Sequence, residues 1–292
     1  KLFVWLHYTD PHAPYVLPPG VANPFLGDAL DHGDRRVQLS GSTGKLIGDQ
    51  RELRFYVAQY DANVLYADSK IHEALEQARA LGLLEDSLVV ITADHGESLG
   101  EHDSYFEHGP QAYNTTLHVP LILAFPGRAM PSLRIGNPVG LVDLYPTLRD
   151  LIAPGFAVEG LEGQSLLPCL GAQPATAAAA AAFRVAFAGA GKRAPFSHYR
   201  AVQDARWKLI FLPAAASRRR APGTDIWELY DLATDPLEPR NLATSEVEQV
   251  RRLRRDLLGW VKEDRLSGQD ETTMAENDRE VRQALKALGY IK

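Results

Sequence analysis

The run Ser87-Leu88-Val89-Val90-Ile91-Thr92 constrains this chain more than any other feature. It is short, apolar and β-branched, and it does not alternate. A strand with no polar side has both faces covered, so the run predicts a central strand of a parallel sheet. Upstream, from Asp49 to Leu84, apolar residues recur every three or four positions (Leu53, Tyr56, Tyr60, Val64, Ala67, Ile71, Leu75) until Gly82 breaks the pattern. That spacing predicts a helix. A helix feeding a doubly covered strand is half of a βαβ unit and points to an α/β fold.

Ligands of such sheets bind just beyond the carboxyl ends of the strands. Here that position holds Ala93-Asp94-His95-Gly96. Asp94 offers a hard oxygen ligand, His95 a second ligand or a hydrogen-bond donor, and Gly96 a tight turn. The same tripeptide also suits an ordinary strand-to-loop turn capped by the aspartate. Six of the nine histidines lie in two stretches that follow apolar runs: His7 and His12, then His95, His102, His108 and His118. Histidine is the usual acid–base group near neutral pH and a common metal ligand.

Other segments complete the outline. Phe3 to Tyr8 reads as another buried strand, so the sequence opens inside a core element, as a fragment or processed chain would. Thr9-Asp10-Pro11-His12-Ala13-Pro14-Tyr15 breaks it. Val16 to Leu46 is rich in Gly, Pro and Asp and reads as a long surface loop. A strand is expected over Val119 to Phe125, and a helix from Val142 with Pro146 in its first turn. Beyond these, Arg184–Phe187, Tyr199–Gln203, Lys208–Leu212 and Glu228–Asp231 predict a small antiparallel sheet. Helices are expected over Ser245–Arg265 and Asp278–Leu288. The resulting division is 1–172, an Ala-rich insert at 173–183, a sheet-plus-helix unit at 184–265 and a tail helix at 266–292.

Composition removes several classes. With 31 basic and 37 acidic side chains the net charge is −6, which argues against nucleic acid as a partner. No stretch approaches ~18 uninterrupted apolar residues, so no transmembrane segment is expected. Cys169 is the sole cysteine; it excludes an internal disulfide and a cysteine-rich zinc site, and its apolar setting predicts an inert, part-buried thiol. There is no Gly-rich phosphate loop, no G-x-S-x-G elbow and no H-E-x-x-H.

Taken in order, the motifs resemble the sulfatase family of the alkaline-phosphatase-like superfamily. Ile91-Thr92-Ala93-Asp94-His95-Gly96-Glu97-Ser98-Leu99-Gly100-Glu101-His102 resembles its metal-binding segment. Asp10-Pro11-His12-Ala13-Pro14-Tyr15 resembles its D-P-H-x-P-Y loop. Tyr60 to Asp68 is similar to the helix before the metal strand. Phe106-Glu107-His108-Gly109, Tyr113 and Val119-Pro120-Leu121-Ile122 are similar to the next active-site loop and strand. Glu162 to Pro168, Trp207-Lys208-Leu209-Ile210, Glu228 to Pro236 and Leu285 to Ile291 follow in family order.

The resemblance implies a mixed α/β sheet flanked by helices, incomplete at its N-terminal side, with a small C-terminal antiparallel α+β subdomain. An incomplete sheet would expose an edge, an aggregation hazard. It implies sulfate-ester hydrolysis with a divalent metal, calcium in most members, and a formylglycine nucleophile. Asp94 and His95 would be metal ligands. His12 would bind the sulfate or protonate the leaving oxygen. His108 lies near the place of a sulfate-binding lysine; the sequence has no lysine between Lys70 and Lys192. The substrate would be a small-molecule or glycan sulfate ester. Family analogy implies a periplasmic or extracellular location.

Three departures stand out. No C/S-x-P/A-x-R precursor of formylglycine occurs, and the Asp-Asp pair and basic pair of the family are also missing. All three belong upstream of the D-P-H loop, so this polypeptide alone is expected to be inactive. Two other readings remain open at this point: a phosphonate or phosphodiester hydrolase or phosphoglycerol transferase of the same superfamily, and an inactive module that binds sulfated glycans.

Overall fold

The computed structural model describes residues 2–27, 35–37, 45–108, 111–127, 132–156, 158, 160–170, 185–188, 199–212 and 226–266. The Ala-rich insert, Ser217-Arg218-Arg219-Arg220 and the expected tail helix lie outside them. In chain order the elements are α1 (Leu53–Ala80), β1 (Val89–Thr92), β2 (Ser98–Leu99), β3 (Tyr105–Glu107), α2 (Asn114–Leu117), β4 (Leu121–Ala124), α3 (Leu144–Ile152), α4 (Leu167–Leu170), β5 (Val185–Ala188), β6 (Arg200–Gln203), β7 (Trp207–Leu212), β8 (Ile226–Asp231) and α5 (Val247–Leu266). Among the described residues no helix is long and apolar enough to cross a membrane.

Helix α1 forms as expected and buries Leu53, Tyr56 and Ala67 of the apolar period together with Ala58, Ala62 and Asn63, whereas Val64 of that period is exposed. It stops at Gly82, whose φ of 68° suits glycine. The Gly82 amide donates to the Arg79 carbonyl at 2.9 Å and the Leu83 amide to the Ala78 carbonyl at 2.9 Å. These two bonds satisfy carbonyls that the helix end would leave open.

Two expectations need correction. The strand β1 pairs antiparallel with β4, from Val89 opposite Ala124 to Thr92 opposite Leu121; no parallel neighbour is present among the described residues. Its residues are half-buried or exposed, because only one hydrogen-bonded neighbour shields them. Phe3 to Tyr8 forms no strand. Leu2, Phe3 and Trp5 are 76%, 81% and 73% exposed. Apolar character marks a segment that needs covering, and among the described residues no strand pairs with it.

The C-terminal strands follow expectation. The order β5-β6-β7-β8 makes an antiparallel meander. Alternation along β7 sends Leu209 and Phe211 to one face and Ile210 and Leu212 to the other. Helix α5 covers the first face with Leu253 and Leu257, one helical turn apart. Ala112 and Tyr113 cover the second. A further cluster of Tyr15, Val37, Leu53, Tyr56, Tyr105 and Phe106 lies around the start of α1.

Neighbouring leucines on α5 give a direct check. Leu257 is fully buried and Leu258 is 40% exposed. Leu257→Ala should cost about 2–5 kcal/mol in a urea titration, and Leu258→Ala a small part of that.

Candidate functional site

The site begins where β1 ends. Asp94 caps the turn through Oδ1, which accepts the His95 amide at 3.0 Å. Its Oδ2 lies 3.7 Å from His95 Nε2, and its side chain is 69% exposed. His95 Nδ1 is 2.8 Å from the Gly96 carbonyl. Gly96 is required by close approach: a Cβ there would sit 2.1 Å from the Thr115 carbonyl oxygen. The Gly96 amide donates to the Thr116 carbonyl at 2.8 Å. This contact joins the turn to α2.

Three of the clustered histidines converge. The His95 and His108 rings stack at 3.9 Å and 12°, and His12 meets His108 edge-on at 5.2 Å. The cause is a buried aromatic contact. Tyr15, at the end of the D-P-H loop, packs edge-on at 5.3 Å against Phe106, two residues before His108. Both are fully buried. The remaining three lie elsewhere: His7 and His118 are exposed, and His102 stacks on Tyr113 at 3.5 Å and 2°.

Two charged groups here escaped the sequence reading. Glu97 is only 5% exposed, and its Oε1 lies 3.3 Å from His108 Nδ1. That hydrogen bond is the main cause of a raised His108 pKa; burial opposes it. Lys45 donates to the Phe106 carbonyl and pairs with Glu107 at 3.2 Å. Lys45 precedes α1 and lies some sixty residues from Phe106 and Glu107 in the chain, so no local pattern links it to them. Glu97 had a usable signal, its place directly after Gly96. Cys169 is half-buried and burial pushes its thiol up, in keeping with an inert group.

The donor set does not fit a complete metal centre. Among the described residues no three His, Cys, Asp or Glu side chains converge to hold an ion. Asp94 and His95 offer two donors, whereas calcium takes six to eight oxygens.

The comparisons with known proteins follow the same order as the motifs. Residues 1–153, more than half of the chain, match the family model described as Sulfatase. The chain belongs to the sulfatase family. Residues 100–263 also match the model of the N-sulphoglucosamine sulphohydrolase C-terminal region. A choline-sulfatase of Rhizobium meliloti is 29% identical over 254 residues, covering 81% of this chain and 45% of the relative. Mouse arylsulfatase K is 32% identical over 206 residues, covering 69% and 34%. A solved Bacteroides fragilis structure assigned to the sulfatases superposes with a TM-score of 0.66 at 21% identity, covering 87% and 52%. That likeness establishes the mixed α/β, alkaline-phosphatase-like fold class. The chain spans less than half the length of these curated relatives.

Burial pushes His102 below the ordinary histidine range, and the nearby Glu238, Glu228 and Glu101 carboxylates offset it only in part. The unfolded chain then takes up the proton first. Stability is lost as pH falls through about 6.5 and levels off below the folded value. His102→Phe keeps a ring on Tyr113 and removes that proton site. From about pH 8 to about pH 5, melting temperatures should show the variant losing less stability than the wild type.

Proposed function

We propose that this protein hydrolyses sulfate esters, with a small-molecule or glycan sulfate bound over His12, His95 and His108. The observation that carries the reading is the meeting of three imidazoles at the end of β1 in a chain of sulfatase membership. The named sulfatase relatives support sulfate over phosphonate or phosphodiester chemistry.

The roles follow from the contacts. Glu97 favours the charged form of His108, which gives a cationic face to an anionic ester. His12 lies beside that face and is placed to pass a proton to the departing oxygen. Asp94 and His95 are proposed as two ligands of a divalent cation, calcium by family habit. The formylglycine nucleophile is expected outside this sequence. Two donors alone are too few to hold such a cation. Lys45, tied to the carbonyl two residues before His108, adds positive charge to the same region.

The test is turnover of 4-nitrophenyl sulfate, choline sulfate and a sulfated glucosamine by the protein expressed from its complete reading frame. Phenyl phosphonate serves as the competing substrate. His12→Ala and His108→Ala should each lower kcat/KM on the best sulfate by about 10²- to 10⁴-fold. Preference for the phosphonate would overturn the reading. Sulfated-glycan binding without turnover would move the protein to the binding-module class.

A further inference from the structure

Lys208 and Glu238 form a 2.8 Å ion pair whose side chains are 0% and 1% exposed. Lys208 stands on β7 where alternation calls for an apolar residue beside Ile210 and Leu212. A buried pair of this kind is often replaceable by apolar residues without loss of stability. Stability alone therefore does not account for it.

The hydrogen bonds of the pair converge on one residue. Lys208 Nζ donates to Asn114 Oδ1 at 2.9 Å. The Asn114 amide donates to Glu238 Oε2 at 2.6 Å, and Asn114 Nδ2 to the Pro236 carbonyl at 3.1 Å. Asn114 opens α2, and α2 is committed to the site at its other end. There the Thr116 carbonyl accepts the Gly96 amide, and Thr115 lies against Gly96. Gly96 directly follows His95. A second strut leaves the same sheet face. Glu228 accepts the Tyr113 hydroxyl at 2.7 Å and the Tyr230 hydroxyl at 2.8 Å, and Tyr113 carries the His102 ring.

We infer that Lys208, Glu238 and Asn114 are positioning residues, which set the Asp94–His95 turn from the C-terminal sheet through α2. This rests on the site reading given above. It assigns the C-terminal unit a part in the chemistry, through placement and without contact to substrate. Reacting groups displaced by about 1 Å can lose about 10²-fold in rate.

Two variants test it in the protein expressed from its complete reading frame. Asn114→Ala removes the side chain that Lys208 and the Pro236 carbonyl engage, and keeps the main-chain amide that donates to Glu238. The double variant Lys208→Met with Glu238→Gln removes both charges at similar volume. The readouts are kcat and KM on 4-nitrophenyl sulfate, the carbon-13 imidazole resonances of His95, and thermal melting. Asn114→Ala should lower kcat about 10- to 100-fold while KM stays within about threefold, since placement acts on the reacting groups more than on ground-state binding. His95 resonances should move in both variants. Wild-type kcat with unmoved His95 resonances in Asn114→Ala would overturn the inference, whatever the melting temperature. If the double variant fails to fold, Asn114→Ala decides alone. If the wild type turns over no sulfate ester, the functional reading falls, and the His95 resonances decide the positioning by themselves: movement supports it, no movement sinks it.

Discussion

A single backbone hydrogen bond, from Gly96 to Thr116, is the seam of this structure. On one side lie β1, the Asp94–His95 turn and the histidines. On the other lie α2 and the antiparallel sheet on which it rests. The seam closes only because residue 96 lacks a Cβ; any side chain would meet the Thr115 carbonyl. Backbone-to-backbone contact leaves no rotamer to adjust. The turn and α2 therefore move together, and the sheet beneath α2 determines where both lie.

Beneath the seam the sheet is covered on both faces, which explains its composition. Strands β7 and β8 are buried along almost their whole length. Of their buried polar residues, Lys208 and Glu228 point toward the site layer and are engaged there, while Asp231 pairs with Arg206. The face toward α5 is apolar, with Leu209, Phe211, Leu229, Leu253 and Leu257. One face supplies cohesion and the other a set of directed hydrogen bonds.

Much of this was legible in the sequence. The helix period of α1, the Gly82 stop and the four C-terminal strands could be read because each is a local signal. The place of Asp94 and His95 directly after β1 could be read because the apolar run before them is a local strand signal. The rest depends on residues far apart in the chain. The partner of β1 lies about thirty residues away, and no local pattern states whether it runs parallel. Lys45 comes to Phe106 from a loop without periodicity. Lys208 reads as an ordinary outward residue of a strand until the second covering layer is seen. Phe3 to Tyr8 shows the opposite case, a segment whose apolar character demands a cover that lies outside what local pattern can supply.

The loop between the two stacked histidines has an unusual backbone. His102, Asp103 and Phe106 hold φ of 50°, 56° and 57°, and none is glycine. Left-handed backbone of this kind persists only where its surroundings over-determine it. Such a loop has little room to drift in sequence or length, since each change must preserve three disfavoured torsions at once.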